Sequence, residues 1–261
     1  MKNRLKRLLG RVLLLKRKRV AAAAAVIAAA VLFGVLYDPA VVGAAATERL
    51  LPVYSVERDG KFASLTFDAA WGNEDTQTLI DILGRYGVRA TFFVVGAWAE
   101  KYPESVRALH EAGHEVMNHS GTHPHLSKLS ASEIRAEADE CGDKVEAVTG
   151  VRPTLFRCPY GEYDDNVIGT LRGMGMQVVQ WDVDSLDWKG ISAGEITKRV
   201  TERVAPGSIV LFHNAAEHTP EALAGIIEYM IQNGYTLVPA SELLLQGDYT
   251  IDHAGRQHAL Q

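Results

Sequence analysis

Seven short apolar runs alternate with seven helix-length stretches through most of this 261-residue chain. The apolar runs have the length and the composition of buried strands. Alternation of this kind predicts parallel strands with helices packed against them, in an open sheet or a barrel. The predicted strands are residues 61–67, 90–95, 114–118, 154–158, 177–181, 208–212 and 235–238. The predicted helices are residues 75–86, 98–112, 130–149, 163–173, 192–204, 219–233 and 240–246.

Several of these helices carry signals at their ends. Ser130 with Glu133 three residues later has the form of a capping box, and Ser192 and Thr219 are candidate N-caps. Gly150 stands where the predicted helix at 130–149 should end, as glycine often does because it adopts a left-handed conformation without strain. The helix boundaries are therefore predicted by local residues as well as by periodicity.

The first 37 residues differ from the rest of the chain. Residues 1–19 hold nine lysines and arginines and no acid, and residues 20–37 hold no charge at all. At helical rise the uncharged run spans roughly 27 Å, close to the hydrocarbon thickness of a bilayer. The pattern predicts a transmembrane anchor with the basic segment in the cytoplasm and the remaining chain outside. The alternative is a secreted protein whose signal peptide is cleaved near Ala44–Ala46.

The remaining chain divides by composition into a linker at 38–60, a main domain at 61–246 and a polar tail at 247–261. Apart from the first 19 residues, the chain has 18 basic and 32 acidic residues, a net charge of about −14. Such a charge argues against a nucleic-acid partner. Cys141 and Cys158 match no metal-binding or redox spacing, and two buried thiols are a better expectation than a disulfide.

Acids, histidines and an arginine recur at the places where predicted strands end. Because the carboxyl ends of parallel strands meet at one edge, these side chains are expected to converge on one site. A single such residue is more often a cap or a turn former, so the convergence is what favours a functional site. The residues are Asp68, His119, His123, Arg157, Asp182, Asp184, Asp187 and His213.

Two of these segments point to a kind of chemistry. His119 and His123 are four residues apart, so one helical turn would bring both imidazoles to the same side, as a metal ion requires. Arg157 can hold a neighbouring carboxylate in its ionised form. Tyr160 lies in a rigid Pro-Tyr-Gly turn that can aim a backbone N–H at a developing oxyanion.

The order of the segments resembles the polysaccharide deacetylase family, also called the NodB homology or carbohydrate esterase 4 family. Five motifs carry the resemblance: TFD at 66–68, HSGTH at 119–123, RCPYG at 157–161, DVDSLDW at 182–188 and LFH at 211–213. The resemblance covers roughly residues 60–245 and implies a deformed (β/α)7-type barrel. It also implies hydrolysis of N-acetyl groups on chitin-like or peptidoglycan sugars. The extended form TFDAAWG at 66–72 is similar to the sporulation-associated branch of the family.

The resemblance implies an acid–base pair. Asp68 would be the general base that activates water, with Arg157 steering its carboxylate. His213 would be the general acid that protonates the leaving amine. Either Asp184 or Asp187 would orient the imidazole of His213.

The resemblance also implies a metal site and a substrate pocket. His119 and His123 would bind a divalent metal, zinc or cobalt, that assists the attacking water. Tyr160 would offer its backbone N–H to the oxyanion. Trp188 and Leu211 would shape the pocket for the sugar and its acetyl group.

Ala69 departs from the family pattern, which has a second, metal-binding Asp at this position. Two histidines without that carboxylate predict a weak site, unless Asn73, Glu74 or Asp75 supplies the missing oxygen. Three functions stay open: an active deacetylase with a weakened or rebuilt metal site, a catalytically silent domain that binds glycan strands, and a membrane-tethered scaffold for partners in the cell envelope.

Overall fold

The computed structural model describes Ile27 and residues 49–260, and residues 50–260 belong to one compact unit. The predicted anchor at 20–37 lies outside the described residues except for Ile27, as do the basic segment at 1–19 and residues 38–48 of the predicted linker. Within the described part of the chain, no helix is both long enough and apolar enough to cross a bilayer.

Parallel strands form the centre of the compact unit. The strands are β1 (Ser55–Val56), β2 (Phe62–Ala69), β3 (Thr91–Val94), β4 (Glu115–Asn118), β5 (Leu155–Phe156), β6 (Gln177–Val178), β7 (Val183–Asp184), β8 (Ile209–His213), β9 (Thr236–Leu237), β10 (Tyr249–Ile251) and β11 (Arg256–Ala259). The main sheet has the order β6-β5-β4-β3-β2-β8-β7, and β9 pairs with β2 beside this path. All of its strand pairs are parallel. The path ends at β6 and β7, so the predicted barrel is an open half-barrel.

Helices follow the strands in the predicted rhythm. They are α1 (Thr76–Arg85), α2 (Gly96–Lys101), α3 (Pro103–Glu111), α4 (Ala131–Thr149), α5 (Asp165–Gly173), α6 (Ala193–Thr201), α7 (Thr219–Gln232) and α8 (Ala240–Leu243). The capping boxes predicted at Ser130 and Ser192 are both formed. The single helix predicted over 98–112 is two helices, because Pro103 has no N–H for a continuous ladder and begins α3.

Strand β2 lies between β3 and β8, and its side chains alternate between two environments. Leu65, Phe67 and Ala69 belong to the main hydrophobic cluster, whereas Thr66 and Asp68 are buried polar residues outside it. Successive side chains of a strand point to opposite faces. Asp68 and Ala69 therefore point in opposite directions, and the methyl group of Ala69 packs with the core.

The segments on both sides of the predicted main domain are part of the fold. Val53 pairs with Val179 and Ser55 with Ser208, so the expected linker is ordered structure from about residue 50 onward. Strands β10 and β11 form an antiparallel hairpin, and β11 also pairs with β1. The segment at 247–261, separated above as a polar tail, thus contains two strands of the fold. Their polar composition hid them, because backbone pairing holds them in place without an apolar run.

Candidate active site

A cavity of about 860 Å³ opens beside the carboxyl ends of the central strands. Nine of the predicted site residues line it, and a further one, Arg157, is fully buried against Asp68. The nine are Asp68, His119, His123, Tyr160, Asp184, Asp187, Trp188, Leu211 and His213. Asp182, the remaining acid expected at this edge, does not line the cavity, because its carboxylate accepts from the Ser208 hydroxyl and the Ile209 N–H. The structure therefore brings together residues from five separate strand ends.

Strained backbone surrounds this cavity. Within residues 49–260, five residues other than glycine have positive φ angles, and each of them lines the cavity or adjoins a residue that does. They are Ser120 (69°), His123 (63°), Tyr160 (59°), Leu186 (59°) and Ala215 (53°). Such conformations cost free energy and are concentrated at functional sites in proteins. Their location supports the identification of this cavity as the candidate site.

The carboxylate of Asp68 is paired with a buried arginine. Nη1 of Arg157 donates to Oδ1 of Asp68 at 2.8 Å, and Nη2 donates to the carbonyl oxygen of Gln180 at 3.0 Å. The guanidinium also lies over the ring of Phe93, 4.1 Å from its centroid. Burial alone would raise the pKa of Asp68, but the charge and hydrogen bond of Arg157, together with the nearby His119 and His213, outweigh it and the pKa is lowered. Asp68 is therefore ionised at neutral pH and can accept a proton.

A second carboxylate holds His213. Nδ1 of His213 lies 2.8 Å from Oδ1 of Asp187, and because a carboxylate only accepts, Nδ1 carries the proton. Oδ2 of Asp187 accepts from the backbone N–H of His213 at 2.8 Å and from the hydroxyl of Thr219 at 2.7 Å. Burial would lower the pKa of His213, but the hydrogen bond and charge of Asp187 raise it above its usual value. His213 thus holds a proton that it can donate near neutral pH.

The hydrogen bonds show which of the two candidate carboxylates, Asp184 or Asp187, orients His213. Asp187 contacts His213 directly, whereas Oδ1 of Asp184 accepts from the backbone N–H of Leu186 at 2.8 Å and stabilises a turn. Asp184 lines the cavity without contacting the imidazole. Thr219, predicted as an N-cap, is instead the first residue of α7, and its hydroxyl fixes Asp187.

The two remaining histidines lie side by side. Nδ1 of His119 is 2.8 Å from the carbonyl oxygen of Arg157, so this nitrogen carries the proton and Nε2 keeps its lone pair. Nε2 faces Oδ2 of Asp68 at 3.6 Å, and the rings of His119 and His123 have centroids 4.9 Å apart. Burial lowers the pKa of both imidazoles, that of His123 to about 4. Neutral rings with one tautomer held by a carbonyl are the form that binds metal ions.

The two histidines suit a metal ion, but a third protein ligand for it is not found among the described residues. The described residues contain no group of three or more His, Cys, Asp or Glu side chains that could hold a metal ion. The Asn73 amide donates to a serine hydroxyl at 3.1 Å, and Oδ2 of Asp75 accepts from the Ala215 N–H at 2.9 Å. Of the three candidate replacements only Glu74 lines the cavity. The donor set therefore fits a two-histidine site and does not fit a three-ligand one.

Sequence reasoning missed several residues that line the cavity. Trp71 was part of the TFDAAWG segment, and Asn214 follows His213 directly, but neither was given a role. Trp181 ends the predicted strand at 177–181 and Glu217 lies between two predicted elements, and neither was given a role. A tryptophan three residues after the predicted base was the available signal, and the sequence alone did not show that its side chain faces the cavity.

The fold and these contacts define a class of protein: an α/β half-barrel with the groups needed for acid–base catalysis, an ionised carboxylate and a carboxylate-held histidine, in one cavity. A family model described as polysaccharide deacetylase matches residues 55–179. The chain is 35% identical over 189 residues to the peptidoglycan-N-acetylmuramic acid deacetylase PdaC of Bacillus subtilis. The aligned region covers 72% of this chain and 40% of PdaC. The chain spans 40–60% of the length of the first curated relatives that it matches.

Solved structures agree with the family model. The crystal structure of BA3943 from Bacillus anthracis, described as a CE4 family pseudoenzyme, superposes with a TM-score of 0.72 at 34% identity, covering 75% of this chain and 69% of that one. A mutant of BA3943 described as having restored enzymatic activity has a TM-score of 0.72 at 35% identity, covering 75% and 71%. The Bc1960 peptidoglycan N-acetylglucosamine deacetylase has a TM-score of 0.71 at 32% identity, covering 74% and 92%.

The chain belongs to the polysaccharide deacetylase family. The enzymes of this family are hydrolases that act on N-acetyl amide bonds of carbohydrates. The membership inferred from the five sequence motifs is confirmed. The link to sporulation stays a prediction.

Proposed function

We propose that this protein removes N-acetyl groups from a cell-wall polysaccharide that contains N-acetylglucosamine, such as peptidoglycan. The observation that carries the proposal is the placement of Asp68 and His213 in one cavity, each held in its working protonation state by its own partner. The names of its relatives, which include deacetylases of peptidoglycan N-acetylglucosamine and N-acetylmuramic acid, support the same class of substrate.

The residues divide the reaction between them. Asp68 takes a proton from a water molecule while the oxygen of that water attacks the carbonyl carbon of the acetamide. The backbone N–H of Tyr160 stabilises the negative charge on the carbonyl oxygen. His213 then donates its Nε2 proton to the amide nitrogen as the C–N bond breaks, and Asp187 stabilises the charged imidazole before this transfer. The products are acetate and a free amino sugar.

His119 and His123 are the residues that would hold a divalent metal. When bound, such an ion would act as a Lewis acid that polarises the acetamide carbonyl and acidifies water. We propose zinc or cobalt, because imidazole nitrogen suits both. Two neutral ligands without a carboxylate should bind the ion weakly, since catalytic zinc sites usually have three protein ligands.

A second candidate function is glycan binding without catalysis. It is favoured by Ala69, whose methyl group packs in the core where the family has a metal-binding carboxylate. It is also favoured by the similarity to BA3943, which is described as a pseudoenzyme. In this case the cavity would keep its affinity for glycan strands and would have lost the reaction.

One experiment separates the two functions. The full-length protein, purified in detergent, is incubated with peptidoglycan and with N-acetylglucosamine oligomers, with added zinc, with cobalt, or with a chelator. Released acetate and bound oligomer are both measured, and the His213→Ala variant controls for contaminating activity. We expect acetate release that requires metal. Binding without release under every metal condition would support the second function.

We further propose that residues 20–37 anchor the protein, with its main domain outside the cytoplasm where cell-wall glycan lies. The uncharged run behind nine basic residues supports this placement. Extraction of membranes with alkaline carbonate should leave the full-length protein in the pellet, with its N-terminal residues present by mass spectrometry. A soluble product that begins after Ala46 would instead support secretion after signal cleavage.

A further inference from the structure

Trp71 lines the cavity but has no role in the proposed reaction. Its indole is edge-on to the rings of both His123 and His213, with centroid distances of 6.1 and 6.2 Å. The side chain lines the cavity and is 57% exposed. Trp71 therefore stands between the histidine pair and the proposed acid, beside the space in which a substrate has to lie to react.

The loop that presents Trp71 is held in place by buried side chains. Nδ2 of Asn214 donates to the carbonyl oxygens of Trp71 at 2.7 Å and Gly72 at 2.6 Å, and its Oδ1 accepts from the N–H of Ala70 at 3.3 Å. The indole N–H of Trp98 donates to the same Gly72 oxygen at 2.6 Å. Both Asn214 and Trp98 are buried. An exposed side chain on such a fixed loop is pre-organised for contact with a ligand.

The exposure of Trp71 is part of a local pattern. Among residues 49–260 and Ile27, eight large apolar side chains are exposed, and three of them line this one cavity. These three are Trp71, Tyr160 and Trp188, at 57%, 58% and 56% exposure. Aromatic surface gathered around a cavity marks a binding site rather than scattered surface variation.

The remaining lining limits the kind of ligand. Glu74, Asp184 and Glu217 line the cavity, and among residues 49–260 no Lys or Arg side chain does. A sugar that carries a carboxylate would meet like charges there, whereas uncharged N-acetylglucosamine would not. The flat C–H face of a pyranose ring is apolar and matches the face of an indole.

We propose that Trp71 is a specificity-determining residue of this site, whose indole stacks on the N-acetylglucosamine ring that carries the reacting acetamide. Asn214 is its positioning residue and acts by holding the loop at 70–72. The inference rests on the proposed function in that it takes the cavity as the glycan site. It does not require that the site be catalytically active.

Binding of an N-acetylglucosamine pentamer to the full-length protein in detergent tests the stacking, by calorimetry on wild type, Trp71→Ala and Trp71→Phe. Loss of one aromatic stacking partner is expected to weaken binding about tenfold. Trp71→Phe should keep most of the affinity because it keeps an aromatic face. Tyr229→Ala, which removes an exposed aromatic outside the cavity, is the matched control and should bind like wild type.

Several outcomes would overturn the proposal. Equal affinity in wild type and Trp71→Ala would show that the indole makes no productive contact. Faster acetate release by Trp71→Ala would show that the ring obstructs the site instead of binding the sugar. Absence of pentamer binding in wild type would also overturn it. Thermal unfolding of each variant verifies folding, which an exposed side chain should not impair.

The two proposals fail in different ways. Absence of acetate release from wild type would overturn the proposed reaction, while the calorimetry on Trp71 would still support or overturn the stacking. Where acetate is released, the Trp71→Ala loss should be larger in KM than in kcat, because the contact already exists in the ground-state complex.

A double-mutant cycle tests the positioning role of Asn214. Asn214→Ala should weaken pentamer binding in the wild-type background and should cost little more when Trp71→Ala is already present. Equal losses in both backgrounds would show that Asn214 acts by another route, such as the neighbouring His213. Asn214→Ser keeps one hydrogen-bond donor and should bind the pentamer more tightly than Asn214→Ala. It also provides a second variant in case Asn214→Ala fails to fold.

Discussion

The two halves of the candidate site differ in completeness. On the side of β8 and α7, His213, Asp187 and Thr219 form a chain in which each group has a partner at 2.7–2.8 Å. On the side of β2 and β4, His119 and His123 are neutral and adjacent, but Ala69 offers no ligand. The acid half is complete, and the metal half has lost its carboxylate.

The base Asp68 and the metal-site residue His119 are both held by Arg157, and an alanine at position 69 does not remove these contacts. Arg157 holds Asp68 with its guanidinium and His119 with its carbonyl oxygen. Because this residue is buried and stacked on Phe93, the histidine stays oriented even where the third ligand is absent. An alanine at position 69 can therefore weaken metal binding without disturbing the rest of the site.

The largest expected effect falls on the complete half. His213→Ala removes the proton donor for the leaving amine, so acetate release should fall by about 10²- to 10⁴-fold. Pentamer binding should be largely retained, since the variant removes no stacking surface. Assay of acetate release beside calorimetry checks both statements. Undiminished release would contradict the acid role.

Asp187→Asn should change the pH dependence of activity, because Asp187 sets the pKa of the proposed acid His213. The Asp187 carboxylate raises the pKa of His213, so its loss lowers that pKa. The protonated, active form of His213 is present below its pKa, and the alkaline limb of the kcat/KM profile should therefore move to lower pH. Activity at neutral pH should fall roughly tenfold, less than in His213→Ala. An unshifted alkaline limb would assign that limb to another group.

Ala69→Asp should repair the incomplete half. The added carboxylate should turn from the apolar core towards the histidines when zinc is present and tighten zinc binding about tenfold or more, as a charged third ligand. Without zinc the variant should unfold at a lower temperature than wild type, since the charge replaces a methyl group packed in the core, and zinc should recover the difference. Ala69→Asn is the matched neutral control. Unchanged zinc affinity would show that the side chain remains on the core side of β2.

Asp184→Asn should have the smallest effect. Asp184 accepts one backbone N–H in a turn, and the amide oxygen of asparagine can do the same. Stability should change by no more than about 0.5 kcal/mol, and acetate release should stay near wild type. A loss as large as that of Asp187→Asn would return Asp184 to the role of orienting His213.

Local sequence signals predicted much of the fold. The strand–helix alternation, the capping boxes at Ser130 and Ser192, and the edge at which the polar residues meet all follow from interactions within a few residues. The hairpin at 249–259 and the pairing of residues 53–55 were not predictable in this way. Their stability comes from backbone pairing with distant strands, which leaves no periodic trace in the sequence.

By itself, the sequence determined which residue types stand at the strand ends, and the order of the five motifs was enough to identify the family. Only the tertiary structure decided that Asp187 and not Asp184 holds His213, that Ala69 points away from Asp68, and that Trp71 lies between His123 and His213. These outcomes depend on which side of a strand a residue takes and on contacts between segments that lie 26 to 143 residues apart in the sequence. Such contacts are set by packing and not by local propensity.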